Sequence, residues 1–465
     1  MAVVLRLANV GQTTTVDLRS GILELVDRSW RTRTAPVEGQ YRHTPYGAQP
    51  GFSYFGIVVE TMDLVGVDTV AHLVGAANDI EEMLELARLF HTDPLRSESI
   101  WLEVNADGES ARRALLYKGS LQYPTDVGIS ALLENGTVQA SLALSRHPLW
   151  EDTVYSSVDE DDISCLGGTF SFSSVAGVCP ARLWRTIVRG RNGGGGPLMR
   201  FWCGIRPKYL GLTDFTPLWE LEDGTAHIDT SEVVDVGASG GKKLQVTFAT
   251  QTDLIKRAQI CVAHLAGGSL NSNDFYGRYL VLVRAKLSGS GTCAVQMKAG
   301  YSSYSGVLSP SEIVYIDNTN WRLWELGEIQ IPPGGVLAGV TSGARYAEIQ
   351  VWAERVSGTP LLDLDCLVLI PATHFLYGDG AEIEYVIGAT RPATITVRED
   401  DLTAAQANFG GTAEAYLDYL VRDWYLPVGD SMFVLAAERN GGHYLTDAVD
   451  VDLSYFPRWL SYRGS

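Results

Sequence analysis

Gly237-Ala-Ser-Gly-Gly241 has the Gly-x-Ser-x-Gly spacing of a hydrolase nucleophile. Such an elbow needs a strand before the serine and a helix after it, so that the hydroxyl stands at a helix start. Here the alternating run Lys243–Ala249 follows at once, so the segment is expected to be a Gly-rich loop with no catalytic role. Asp363 and Asp365 are the carboxylates with a defined spacing, two residues apart and opposite Leu362, Leu364 and Cys366. Alternation places them on a solvated outer face; a structural calcium beside them is the other reading weighed. The eight histidines (His43, His72, His91, His147, His227, His264, His374, His443) never fall at metal-ligand spacing. Arg189-Gly-Arg-Asn-Gly-Gly-Gly-Gly-Pro197 lacks the Gly-Lys-Ser/Thr ending of a phosphate loop. No catalytic residue, metal ligand or cofactor is therefore expected, and the chain is not expected to be an enzyme.

Aromatic residues in polar settings remain. Gly300-Tyr-Ser-Ser-Tyr-Ser-Gly306 sets Tyr301 and Tyr304 in a polar, glycine-bounded loop. Sugar sites pair aromatic rings with the apolar faces of pyranoses and surround them with hydrogen-bonding groups. Trp324 and Trp352 are further candidates, and Trp352 shares the polar face of its strand with Glu348, Gln350 and Glu354. Tyr301, Tyr304, Trp324 and Trp352 are thus the expected sugar-binding residues, against core packing as the plainer role for the tryptophans.

These residues need strands to hold them. In Ala347–Arg355, Ile349, Val351 and Ala353 alternate with the polar set, the period of a half-buried strand. Gly277–Leu287 and Leu361–Pro371 read the same way, punctuated by Gly, Ser and Pro. One helix is expected within Asp68–Phe90, where Ile80, Met83, Leu84, Ala87 and Phe90 form an apolar stripe. Asn78 and Asp79 are read as caps of its second half. Glu151–Asp162 is read as an acidic linker loop, and Thr412–Tyr419 as a short helix.

The chain has 465 residues, more than one ordinary core, and its 46% hydrophobic and 20% charged content is that of an ordered globular protein. A net charge of −19 argues against a nucleic-acid partner, which needs a basic face. Six scattered cysteines without a Cys-x-x-Cys pair are expected to be free, buried thiols of a chain folded in a reducing cytoplasm. Met1–Ala8 does not read as a signal peptide, and no apolar run reaches bilayer length, so no membrane insertion is expected. The fold class is mainly β: a β-rich N-terminal domain with one packed helix (1–152), a discontinuous β-sandwich (153–215 and 376–465), and an inserted jelly roll (216–375).

Leu142-Ala-Leu-Ser-Arg-His-Pro-Leu-Trp-Glu151, the lone helix and the ending Tyr455-Phe-Pro-Arg-Trp459 resemble the distal tail, or baseplate hub, proteins of long-tailed bacteriophages. Tyr279–Leu287, Trp321 before Leu326-Gly327, and Leu362–Pro371 resemble a carbohydrate-binding-module jelly roll. The first resemblance implies a virion protein at the tail tip that forms a ring, commonly hexameric, and joins the tail tube to the tip or hub proteins. The second implies an outward module for host-surface polysaccharide. A glycan hydrolase or a cell-surface adhesin with an accessory sugar module is the rival reading.

Overall fold

The computed structural model describes residues 4–9, 13–26, 37–44, 47–55, 57–92, 99–105, 110–124, 136–190, 198–207, 215–250, 252–264, 277–301, 309–331, 346–379, 394–398, 405–408, 414–422, 425–439 and 442–459. Among them the chain is mainly antiparallel β with one α-helix, as its composition and alternation predict. It divides into two compact units. Unit 1 holds Met1–Ser156, Ala176–Ala181 and Phe456–Ser465; unit 2 holds Ser157–Val175 and Arg182–Tyr455.

In unit 1, Val4–Asn9 pairs with Thr15–Asp17 and Ile100–Asn105. The ladder continues through Arg112–Gln122, Thr137–Arg146 and Val58–Val67 to Leu23–Leu25. Strict alternation along Val58–Val67 buries Val58, Glu60, Met62 and Leu64 and leaves Val59, Thr61 and Asp63 outside. The helix, Val70–Thr92, lays Leu73, Ala77, Ile80, Met83, Leu84 and Ala87 on the same core. These positions recur every three or four residues, which is why one stripe can face the sheet. Its N-terminus is capped at Thr69, whose hydroxyl accepts from the His72 amide, while Asp68 accepts from the Thr69 amide. Asn78 and Asp79 are therefore mid-helix and exposed, not caps. The hairpin Val37–Thr44 with Gly47–Phe55 pairs with itself.

The Ser-Arg-His-Pro-Leu-Trp turn has a physical cause. Arg146 is wholly buried; its guanidinium binds Glu60 at 2.8 and 2.5 Å and donates to the carbonyls of His147 and Pro148. It also lies 4.5 Å over the Trp150 ring. Burial pulls its pKa below the ordinary arginine range, and the Glu60 carboxylate opposes that shift. Trp150–Asp152 then pairs with the end of the chain, Trp150 opposite Trp459 and Glu151 opposite Arg458. Arg112 stacks on Trp459, Arg113 on Trp101 and Phe456, and Arg113 binds Glu151 at 3.1 Å. The two segments that resemble tail proteins thus close one sheet.

Unit 2 contains a two-sheet sandwich. One sheet runs Thr230–Val234, Lys242–Val246, Leu361–Pro371, Gly277–Ser288, Arg322–Ile331, with Leu218–Glu220 also on Leu361–Pro371. The other runs Thr225–Ala226, Ile255–His264, Tyr346–Gly358, Gly291–Tyr301, Ser309–Ile316. Val281, Val283, Leu364, Val295, Met297, Ile349 and Val351 belong to a single core. That core also takes in Leu166, Trp202, Val434 and Ala436, from the strands Leu166–Val175, Leu198–Pro207 and Gly429–Arg439. Gly204 permits this approach, because a Cβ there would lie 2.4 Å from the Pro371 carbonyl oxygen.

Several expectations are corrected. Glu151–Asp162 is not a loop: Trp150–Asp152 and Ser156–Ser164 are strands. Glu414–Arg422 is a strand where a helix was read over Thr412–Tyr419; its ladder with Ala405–Asn408 and His374–Asp379 overrides local propensity. Asp363 and Asp365 are wholly buried, since neighbouring segments pack over the sheet face they share. Cys165, Cys179, Cys203, Cys293 and Cys366 are free and buried, as expected; burial pushes Cys165 and Cys293 up to about 12. The Cys261 side chain, Tyr304, most of the Arg189–Pro197 loop and Ala381–Tyr385 lie outside the described residues.

Candidate functional site

The hydrolase-like serine sits in a buried ionic cluster of unit 2. Ser239–Gly241 forms one 3-10 turn, with Gly240 and Gly241 at positive φ, and a strand follows it. The Ser239 amide donates to Asp365, and its hydroxyl lies 2.8 Å from Glu220 Oε2 and 2.9 Å from Asp365 Oδ1. Arg284 binds the other oxygen of Asp365, donates to the Gly237 carbonyl at 2.9 Å, and lies 4.7 Å over Trp321. Arg284 Nε also donates to His443 Nδ1 at 3.1 Å, and burial with the Arg284 charge pushes that imidazole down to about 3. His443 is thus a neutral acceptor held against a cation. The described partners of the Ser239 hydroxyl are the carboxylates of Glu220 and Asp365; His443 is bonded to Arg284 instead.

Asp363 is equally committed: it accepts from Lys243 at 2.7 Å, Gln245 at 2.9 Å and Ser288 at 2.5 Å. Glu220, Asp365 and Cys366 offer three ligand atoms within 4.8 Å of one another. Asp365 is already bonded to Arg284 and Ser239, and burial drives the Cys366 thiol well above its ordinary value. Asp365 is thus compensated from within the protein, and Glu220 accepts from the Ser239 hydroxyl. Sequence alone missed this network because its members lie up to 223 positions apart, Glu220 to His443.

The sugar candidates separate. Trp324 belongs to Arg322–Ile331 in the first sheet, packs against the core, and donates its indole N–H to the Ala285 carbonyl at 3.1 Å. Trp352 belongs to Tyr346–Gly358 in the other sheet, so the two tryptophans do not share a face. Tyr301 ends the Gly291–Tyr301 strand opposite Ala347; its side chain lies outside the described residues.

Around Trp352 the register assembles a polar outer face. Gln296 and Lys256 flank it across the neighbouring strands, and Gln350 lies between Lys298 and Gln259. The Trp352 indole donates to Gln350 at 3.0 Å, and the Lys298 ammonium lies 3.5 Å from the ring centroid. Glu348 and Gln350 are buried, while Trp352 is half-buried. Ile313 and Tyr315, opposite Gln296 and Ala294, extend this face and are 43% and 58% exposed. Stacking area, amides and the ammonium groups of Lys256 and Lys298 therefore lie on one side of the sheet, chemistry that suits a polyhydroxylated ligand.

By fold the chain is a mainly antiparallel β protein with a helix on its N-terminal sheet. It is similar to a chain of the phage P2 baseplate in its activated conformation with Ca, at 8% identity over 98% of both chains and a TM-score of 0.30. It is also similar to the SPP1 Dit (gp 19.1) protein, described as a hub adsorption apparatus in Gram-positive infecting phages. That likeness has 8% identity over 78% of this chain and 98% of the other, with a TM-score of 0.19. An infectious bursal disease virus Gt strain chain matches over 66% of this one at a TM-score of 0.16. No family model and no curated protein matches the sequence.

Proposed function

We propose that the protein is a non-catalytic structural subunit of a phage tail tip, assembling through unit 1 into a ring that joins the tail tube to the tip. The observation that supports this most directly is the surface of unit 1, the unit closed by the two segments that resemble tail proteins. Ile57, Val59, Val67 and Val154 are all at least half exposed there, aliphatic area of the kind that subunit contacts cover. The commitment of Asp363, Asp365 and Ser239 to ion pairs and hydrogen bonds favours this reading over a glycan hydrolase. Light scattering of the full chain tests it. The mass should be a multiple of 50.6 kDa, six-fold for a hexamer. A monomer at tens of micromolar would refute assembly by this chain alone.

We further propose that 216–375 is an outward module inserted in a discontinuous domain, and that its Trp352 face holds host-surface polysaccharide. Repetition around a ring gives avidity to contacts that are weak singly. On a glycan array, Trp352→Ala together with Tyr315→Ala should abolish retention of the assembled protein. Undiminished retention would reject this face.

A further inference from the structure

The Trp352 face carries positive charge that the rest of the sandwich neutralises. Residues 216–375 contain five lysines, in a chain where 55 acidic residues outnumber 36 basic ones and offer partners freely. Lys242 pairs with Glu232, Lys243 with Asp235 and Asp363, and Lys286 with Asp235. Lys256 and Lys298 are the other two, and among the described residues neither has a carboxylate partner. Both flank Trp352. Its strand, Tyr346–Gly358, runs between Ile255–His264 and Gly291–Tyr301, and each neighbour contributes one lysine.

Lys256 stands directly opposite Trp352 and donates to the Gln259 side chain at 2.8 Å. Lys298 stands opposite Gln350 and reaches diagonally to the indole, 3.5 Å from the ring centroid. The carboxylates of this face are engaged or set apart: Glu348 is buried and accepts from Gln350, and Glu354 lies beyond Trp352, opposite Ala294.

The position of Lys298 decides what the ring accepts. Its ammonium covers one face of the indole. A neutral pyranose stacking there must displace that cation and returns nothing for the lost contact. A sugar bearing a negative group draws the ammonium into a charge-assisted hydrogen bond while its ring takes the indole face. The two lysine-bearing strands lie about 10 Å apart, so one saccharide chain laid across the strands meets both cations.

We propose that the Trp352 face selects an anionic polysaccharide, one carrying carboxylate or phosphate groups, and that Lys256 and Lys298 set this preference. The proposal rests on the reading of this face as a polysaccharide site. A saccharide fits better than a nucleic acid, whose closely spaced phosphates would meet the chain's net charge of −19 beyond this small basic spot.

Interferometry of the full chain on immobilised polygalacturonate and its methyl ester, and on phosphomannan and its dephosphorylated form, tests it. At least one anionic polymer should bind about tenfold more tightly than its neutral counterpart, by a margin that shrinks as salt rises. The pair that shows the margin separates carboxylate from phosphate as the group recognised. Lys256→Gln with Lys298→Gln should remove most of that margin without a change in melting temperature, since both side chains are half-buried and unpaired with carboxylates. Lys256→Arg with Lys298→Arg should keep it. Equal binding of charged and neutral polymers, lost in Trp352→Ala, overturns the anionic preference and leaves the polysaccharide site standing. No binding of any polymer overturns the preference, and a blank glycan array for the unaltered chain would remove the site as well. A margin that survives the double glutamine variant, or oligo-dT bound as tightly as the anionic polymers, also overturns the proposal.

Discussion

Replacing Arg146 by alanine should unfold unit 1 far more readily than its one-residue scale suggests. The guanidinium is wholly buried, and Glu60, also buried, loses both of its described bonds when it goes. Breaking a buried ion pair from one side costs about 3–5 kcal/mol, because the charge that remains is buried without its counter-charge. Two carbonyls, of His147 and Pro148, lose their donor as well, and Trp150 loses the cation over its ring. For a unit of this size the loss corresponds to roughly 6–20 °C in melting temperature. Urea titration followed by hydrogen exchange of the Thr137–Arg146 amides would localise the effect to this sheet. The decisive comparison is with Glu60→Leu and Arg146→Leu combined. Replacing both charges should cost much less than the sum of the single losses, since no orphaned ion remains. If the double variant loses the sum, or if Arg146→Ala costs less than about 1 kcal/mol, the account of the Arg146 turn as a charge-compensated clamp is wrong.

The Asp365–Arg284 pair in unit 2 obeys the same logic. Arg284→Met should cost about 3–5 kcal/mol in urea unfolding, and a compensating Asp365→Asn should recover part of it; no recovery would deny their coupling. Glu222 gives a pH signature. Burial, then its neighbours Glu220, Asp365 and Asp223, raise its pKa to about 7, from 4.5 when unfolded. A raised carboxylate contributes stability that is full below pH 4.5 and is lost as pH rises to about 7. Glu222→Gln should therefore flatten the decline in melting temperature between pH 5 and about 7.5; an unchanged slope would assign the decline elsewhere.

Period-two alternation made most strands legible, and the stripe Ile80, Met83, Leu84, Ala87 and Phe90 made the helix legible, because such segments need one buried face. What alternation could not say is how many faces are buried. Asp363 and Asp365 alternate with Leu362, Leu364 and Cys366 as on a solvated strand, yet lie wholly buried. The continuous apolar run Cys366–Ile370 was the cue that this strand is covered on both sides. Trp324 and Trp352 were both sugar candidates in sequence, Trp352 with the polar face beside it, and they lie on different sheets, since pairing, not spacing, assigns a strand to its sheet.

The sequence by itself determined a mainly β chain, its helix, its free thiols and the polar face of the Trp352 strand. These follow from local periodicity and composition, which the folded structure inherits. Only the tertiary structure decided that Leu142–Glu151 meets Tyr455–Trp459, and that Ser239, Asp365, Arg284 and His443 compensate one another. The physical reason is common to both. Each depends on register between strands distant in sequence, which is set by burial and backbone pairing summed over a whole sheet.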